Sequence, residues 1–298
     1  MIKQILTYTF LLFSISIFSQ KNFQGKATYM SKTTVDMDSW GRNGQMSEQR
    51  KKQIAERMKS MLEKTFILNF NTSESTYKED QQLAAPGTGG GFRFGGMMGG
   101  GGIKYKNIKD KVALESTELF GKKFLISDEM QQPEWELGNE TKQIGNYTCY
   151  KATMLKKTDA LDWSNMRRRG RRGGDKKEGD KEDKKTDSTK VVKISEEIEM
   201  PKEILVTAWY TPQIPVSNGP GEYWGLPGLI LEINSGRTTV LCTEIVMNPT
   251  EVTEITVPTK GKEITREEYN KTAKKKMEEM REMFRGRRGS GGRGRGRF

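Results

Sequence analysis

The 298-residue chain carries 51 Lys and Arg against 39 Asp and Glu, a net charge of +12, with only 33% hydrophobic residues and a mean hydropathy of -0.77. That polarity excludes an integral helical membrane protein. The absence of histidine excludes Ser-His-Asp and Cys-His catalysis, histidine-ligated zinc and histidine acid–base chemistry. In chain order, residues 1–19 (MIKQILTYTFLLFSISIFS) place one lysine before an apolar run from Ile5 to Phe18. The run is shorter than the roughly 20 residues a spanning helix needs, and it reads as a secretory signal peptide cleaved after Ser19. The mature chain is expected outside the cytoplasm and not integral to the membrane.

Beyond the leader, β-branched and aromatic residues alternate at period two. Strands are predicted over 27–35, 66–70, 103–108, 112–114 with 124–126, 146–155, 191–199, 204–210, 229–233, 238–247 and 251–257. Most connections are too short to hold the helices of a doubly wound sheet. The predicted fold is therefore mainly β, an antiparallel sheet or half-open barrel, with two amphipathic helices. One covers 47–62, with Ile54, Met58, Met61 and Leu62 on one face. The other starts at Thr265, where Thr265-x-x-Glu268 has capping-box spacing, and carries a stripe of Tyr269, Ala273, Met277, Met280 and Phe284.

The excess charge is localised. Residues 167–190 hold 11 bases and 6 acids, and 285–298 hold six arginines and no acid, which leaves the rest of the chain nearly neutral. A folded basic groove is not supported, and nucleic acid is not the expected partner. Together with the Gly-rich stretch 81–102, these segments lack the apolar content to offset ordering entropy and are expected to be disordered. The organisation is then a signal peptide (1–19), one β-rich domain (20–284) with disordered inserts at 81–102 and 167–190, and a disordered Arg/Gly tail (285–298). The basic segments could also attach the protein to an anionic envelope surface.

Catalytic and metal motifs are not found. The glycines of 87–102 are followed by no Gly-Lys-Ser/Thr. Met97-Met98 has no histidine or cysteine beside it, and Glu196-Glu197 and Glu267-Glu268 read as solvated surface charges. No catalytic residue, metal ligand or cofactor is expected. Cys149 and Cys242, the only cysteines, sit in apolar strand-like runs. An oxidising compartment permits a disulfide between them; two buried free thiols are the alternative.

Residues 201–233 (PKEILVTAWYTPQIPVSNGPGEYWGLPGLILEI) are the most distinctive stretch. A strand ending in Trp209-Tyr210 enters a loop stiffened by Pro212, Pro215, Pro220 and Pro227. Leu226-Pro227-Gly228-Leu229 suggests a type II turn, and Leu229-Ile230-Leu231 a strand buried on both faces. The composition fits two roles. One is a rigid corner that seals an end of the core around Trp224. The other is a docking lip formed by Trp209, Tyr210, Pro215, Pro220, Trp224, Leu226 and Pro227.

This stretch resembles the GLPGLI family of exported bacterial proteins, through the hexapeptide at 225–230 and through Ala208-Trp209-Tyr210-Thr211, Ile214-Pro215 and Gly219-Pro220. An upstream block extends the resemblance: Trp135-Glu136-Leu137, Glu140-Thr141-Lys142, Ile144-Gly145, Tyr147, Cys149 and Lys151-Ala152. The resemblance implies a periplasmic or outer-membrane-associated protein without established enzymatic activity, often encoded near TonB-dependent receptors. The leading expectation is a non-enzymatic envelope module that binds a partner, an outer-membrane or other envelope protein, or an apolar ligand. A hydrolase of unknown substrate and a structural protein attached by its basic tails are the alternatives.

Overall fold

A computed structural model describes residues 23–35, 47–80, 102–157, 203–250 and 254–290. Twelve strands and two helices occupy them: β1 (Gln24–Thr33), α1 (Glu48–Leu62), β2 (Glu63–Asn71), β3 (Glu74–Glu79), β4 (Ile103–Asn107), β5 (Val112–Leu119), β6 (Lys122–Glu129), β7 (Glu136–Ile144), β8 (Tyr147–Lys157), β9 (Glu203–Thr211), β10 (Leu229–Ser235), β11 (Thr238–Met247), β12 (Lys262–Ile264) and α2 (Arg266–Ser290). The strands form one open sheet in the order β12-β6-β5-β4-β3-β2-β1-β11-β10-β9-β8-β7. Two antiparallel meanders, β2 to β6 and β7 to β11, are joined through β1, which pairs with β2 on one side and β11 on the other. Among the described strands β12 alone runs parallel to its neighbour. The predicted mainly β antiparallel class with two helices is the observed one, and the sheet does not close into a barrel.

Alternation decides which residues meet inside. In β1, Gly25, Ala27 and Tyr29 are buried while the residues between them are half-exposed. Ala27 and Tyr29 join Leu68, Phe70, Tyr77, Cys149, Ile214, Val216, Leu229, Leu231 and Cys242 in one core. The opposite face of β8 to β10 holds a second core of Ala152, Val206, Ala208, Tyr210, Leu226, Ile230 and Ile233. β10 is therefore buried on both faces, as its unbroken apolar run predicts.

The chain divides into two compact units, Met1–Met154 with Val206–Tyr269, and Leu155–Leu205 with Asn270–Phe298. In the first, the capping box forms: the Glu268 amide donates to Thr265 Oγ1, and the Thr265 amide donates to Glu268 Oε2. Tyr269 packs edge-on against Phe124 of β6. In the second, α2 continues through Ser290, beyond the boundary at 284 set from composition. Arginine is a good helix former, and cations suit the negative end of the helix dipole. Among the described residues no helix is long and apolar enough to cross a membrane.

Other differences from the sequence reading have local causes. β3 and β7 were not expected, because ESTYKE and ELGNETKQI lack sustained apolar alternation. Residues 254–257 are not a strand; β12 follows at 262–264 instead. Gly261 at its entry has φ +133, and a side chain there would meet the β6 backbone at Phe124 and Leu125. The predicted strand 191–199, the leader, the insert 167–190, residues 81–101 and residues 291–298 lie outside the described residues.

Candidate functional site

The Pro-rich loop between β9 and β10 is the structural centre of the first unit. It descends through successive main-chain hydrogen bonds between residues two apart: Val216 N–H to Ile214 O, Asn218 N–H to Val216 O, and Gly228 N–H to Leu226 O. These are γ-type turns about Pro215, Ser217 and Pro227. The last replaces the type II turn expected at 226–229. Gly228 does not take a positive φ; its lack of a side chain answers a close approach, since a Cβ there would lie 2.1 Å from the Thr211 carbonyl oxygen.

Four anchors fix the loop. Gln213 Oε1 accepts the Thr148 amide of β8 at 3.1 Å. Asn218 Oδ1 accepts the Ser75 hydroxyl of β3 at 3.0 Å, both groups buried. Trp135 Nε1 donates to the Trp224 carbonyl at 2.8 Å. Lys106 of β4 reaches in and donates from Nζ to the carbonyls of Gly219 and Tyr223, each at 2.9 Å.

These bonds reveal the curvature of the sheet. Asn218 O accepts the Ile230 amide of β10, while the Asn218 side chain holds Ser75 of β3. In sheet order β3 stands four places from β10, about 19 Å on a flat sheet at ~4.8 Å per strand. One residue can touch both only if the sheet curls around the loop. Tyr29 of β1 completes the inner surface by donating its hydroxyl to the Ile230 carbonyl at 2.7 Å.

Lys106 is wholly buried, with charge-neutral carbonyls as its direct partners. Burial, with Lys104 adding to it and Glu222 opposing, brings its ammonium down to about 7. Asn218 Nδ2 and Asn69 Oδ1 are buried without a hydrogen-bond partner. The space beside Asn69, lined by Gly25, Phe70, Pro249 and Ile255, is about 10 Å³, room for one water at most.

A second cluster lies on the inner face of the β7 to β10 strands. Lys142 Nζ extends from β7 to Glu232 Oε2 of β10 at 2.5 Å and passes 5.5 Å from the Trp209 ring centre. Glu232 is 5% exposed, and its other oxygen accepts Asn234 Nδ2 at 2.8 Å. Asn234 in turn accepts the Thr239 hydroxyl. Cys149 pairs with Lys142 across β7 and β8. Burial, aided by Glu232 and opposed by Lys142, pushes its thiol up to about 11. Burial, opposed by the Glu244 backbone, pushes Cys242 up to about 12. Both thiols are protonated at neutral pH and are poor nucleophiles.

The two cysteines share a core, yet both are free. The bridge considered from the sequence is not formed.

The seven residues of the predicted lip do not share a surface. Tyr210, Pro220, Trp224 and Leu226 are buried, and Trp209 is half-buried beneath Lys142. Pro215 and Pro227 alone are exposed. Trp224 itself is buried, with its carbonyl held by Trp135 Nε1. Sequence reasoning missed Lys106, Ser75 and Asn218 as anchors. A lone glutamate in the apolar run LILEI was a usable signal for a buried ion pair at Glu232. Among the described residues, no group of three or more metal-ligating side chains meets.

No curated protein matches the chain. Two solved structures of PNGF-II, in space groups C2 and P21, align at TM-scores of 0.45 and 0.44 with 12% and 13% identity. Each alignment covers 84% of this chain and 32% of that one, so the chain spans about a third of their length. Residues 135–232, from Trp135 beneath the loop to Glu232 of the ion pair, match a family described as a protein of unknown function (Porph_ging).

Proposed function

We propose that the chain is a non-enzymatic module of the cell envelope, of the GLPGLI type, that acts by binding a partner protein, as an accessory to a TonB-dependent outer-membrane system. The observation that carries this reading is that the motif loop fills the protein's own interior. Ile214, Val216, Trp224 and Leu226 are buried in it, and Tyr29, Leu68, Phe70 and Tyr77 fill the adjoining curl of the sheet. A filled interior favours an adaptor over a carrier of apolar ligands. The charged motif residues Lys142 and Glu232 neutralise each other, and the nearby thiols are held protonated, which favours binding over catalysis.

The test is cross-linking of the tagged full chain in the cells that produce it, followed by quantitative mass spectrometry of the envelope fraction. The expected result is enrichment of a specific envelope protein that excess untagged chain competes away. Absence of any competed protein, combined with saturable uptake of a fluorescent fatty-acid probe by the purified chain, would replace the adaptor with a carrier.

A further inference from the structure

We propose that β7 is the docking edge of the module, and that its occupant is an extended segment of the partner protein added as a further strand. The proposal rests on the adaptor reading above and names its contact. The two ends of the sheet differ. One is finished by the three-residue β12, which leads directly into α2. Among the described residues the other ends in β7, nine residues long, of which all but Ile144 are exposed.

Its main chain is polarised along its length. Ile144 and Tyr147 face each other across the two-residue turn Gly145-Asn146, with φ +56 at Gly145. In such a hairpin the flanking pair exchanges both main-chain bonds, and the alternation then runs back along the strands. Lys142 and Ile144 therefore spend their N–H and C=O groups on β8, while those of Thr141 and Gln143 point away from the sheet. The β8 strand confirms this phase. Thr148, opposite Gln143, turns its amide away from β7 to Gln213.

Natural edges are guarded by bulges, charges or prolines. Here the bulge between Leu137 and Thr141 and the Glu140–Lys151 ion pair guard the first half only. Lys142, the one charge in the second half, is drawn inward to Glu232. Thr141 to Ile144 remains a regular, outward-bonding ladder. Only another extended backbone offers donors and acceptors at that spacing. Beside it, Leu137 is 61% exposed and Tyr150 38% exposed, an apolar step for alternate side chains of the incoming strand.

The experiment uses the full chain and the partner identified by cross-linking. Gln143→Pro and Thr141→Pro each remove a donor that faces outward and leave the β8 ladder intact, so urea midpoints should stay near wild type. Partner affinity should fall at least tenfold in each. Amide exchange at Thr141 and Gln143 should slow on complex formation, while Lys142 and Ile144 stay protected throughout. Unchanged affinity in both proline variants with the same partner captured would overturn the edge contact and leave the adaptor reading standing. Concentration-dependent dimerisation of the chain alone, abolished by the same variants, would replace the partner strand by a second copy. If wild type captures no competed partner, the adaptor reading itself falls.

Discussion

Lys106 allows the burial of the loop to be measured by pH. In the unfolded chain its ammonium titrates near 10.5, and in the folded protein burial brings it down to about 7. Between those values the unfolded chain holds a proton that the folded chain has released, so stability must rise with pH. Integrating from pH 7 to 8.5 gives a gain of about 1.5 kcal/mol. The window closes above pH 8.5. Cys149 and Cys242 ordinarily titrate near 9 and are raised to about 11 and 12, and the buried hydroxyls of Tyr29 and Tyr77 are raised as well. Each of these makes the folded state bind more protons than the unfolded one, so stability falls as they titrate. Lys106→Met removes the linked proton and the bonds to the carbonyls of Gly219 and Tyr223, at roughly 1–3 kcal/mol for the loss of a buried partner such as that of Gly219. Urea unfolding followed by tryptophan fluorescence at pH 7.0, 7.5, 8.0 and 8.5 reads both effects. The expected outcome is a rising stability for wild type and a flat profile for Lys106→Met. Parallel profiles would refute the argument that an ammonium is buried beneath the loop.

Three further outcomes follow from the same geometry. Gly228→Ala should lower stability by about 1–3 kcal/mol or more, because its Cβ would stand 2.1 Å from the Thr211 carbonyl oxygen; thermal melts compare it with Gly121→Ala, where nothing lies within 4 Å and only the φ of +77 resists. Both thiols should react slowly with a disulfide reagent at pH 8 in the native protein and completely in urea without reductant, since both are buried and free; a mass two hydrogens short before alkylation would contradict this. Burial alone would raise the Glu115 carboxyl, but Lys104 and Arg266 hold it below the usual range. Its contribution is present above the ordinary carboxylate pKa and is lost as pH falls through the lowered value, so Glu115→Gln should flatten the acid limb of the stability profile.

What could be read from the sequence follows from how far each feature depends on distant parts of the chain. β11 occupies Thr238–Met247, the bounds set by its alternation, and the Thr265–Glu268 capping box needs only four residues. β7 was illegible for the opposite reason. A strand with one neighbour among the described residues and exposed side chains needs no apolar pattern, so ELGNETKQI reads as a loop. Lys104 and Lys106 look alike in IKYKN, yet the first pairs with Glu115 near the surface and the second is buried. Only the arrival of the loop on β4, more than a hundred residues later, separates them. The same curl decides the fate of Trp224, and composition carries no trace of curvature.

The hexapeptide at 225–230 is best understood as a folding device. Gly225 takes φ +93 against Pro133 and Trp135, a conformation other residues enter at a cost of roughly 1–2 kcal/mol. Leu226 is fully buried in the outer core, and Pro227 stands exposed at the turn that Gly228 N–H closes onto Leu226 O. Gly228 admits the Thr211 carbonyl, and Leu229 and Ile230 then enter opposite cores. Every position is committed to bringing the loop from one face of the sheet to the start of β10. Substitution in this motif should therefore destabilise the domain rather than silence a contact, and a loop-deleted chain would lose its partner for the wrong reason. Variants confined to Thr141 and Gln143 separate recognition from folding, because those residues lie on the outermost of the described strands, outside both cores.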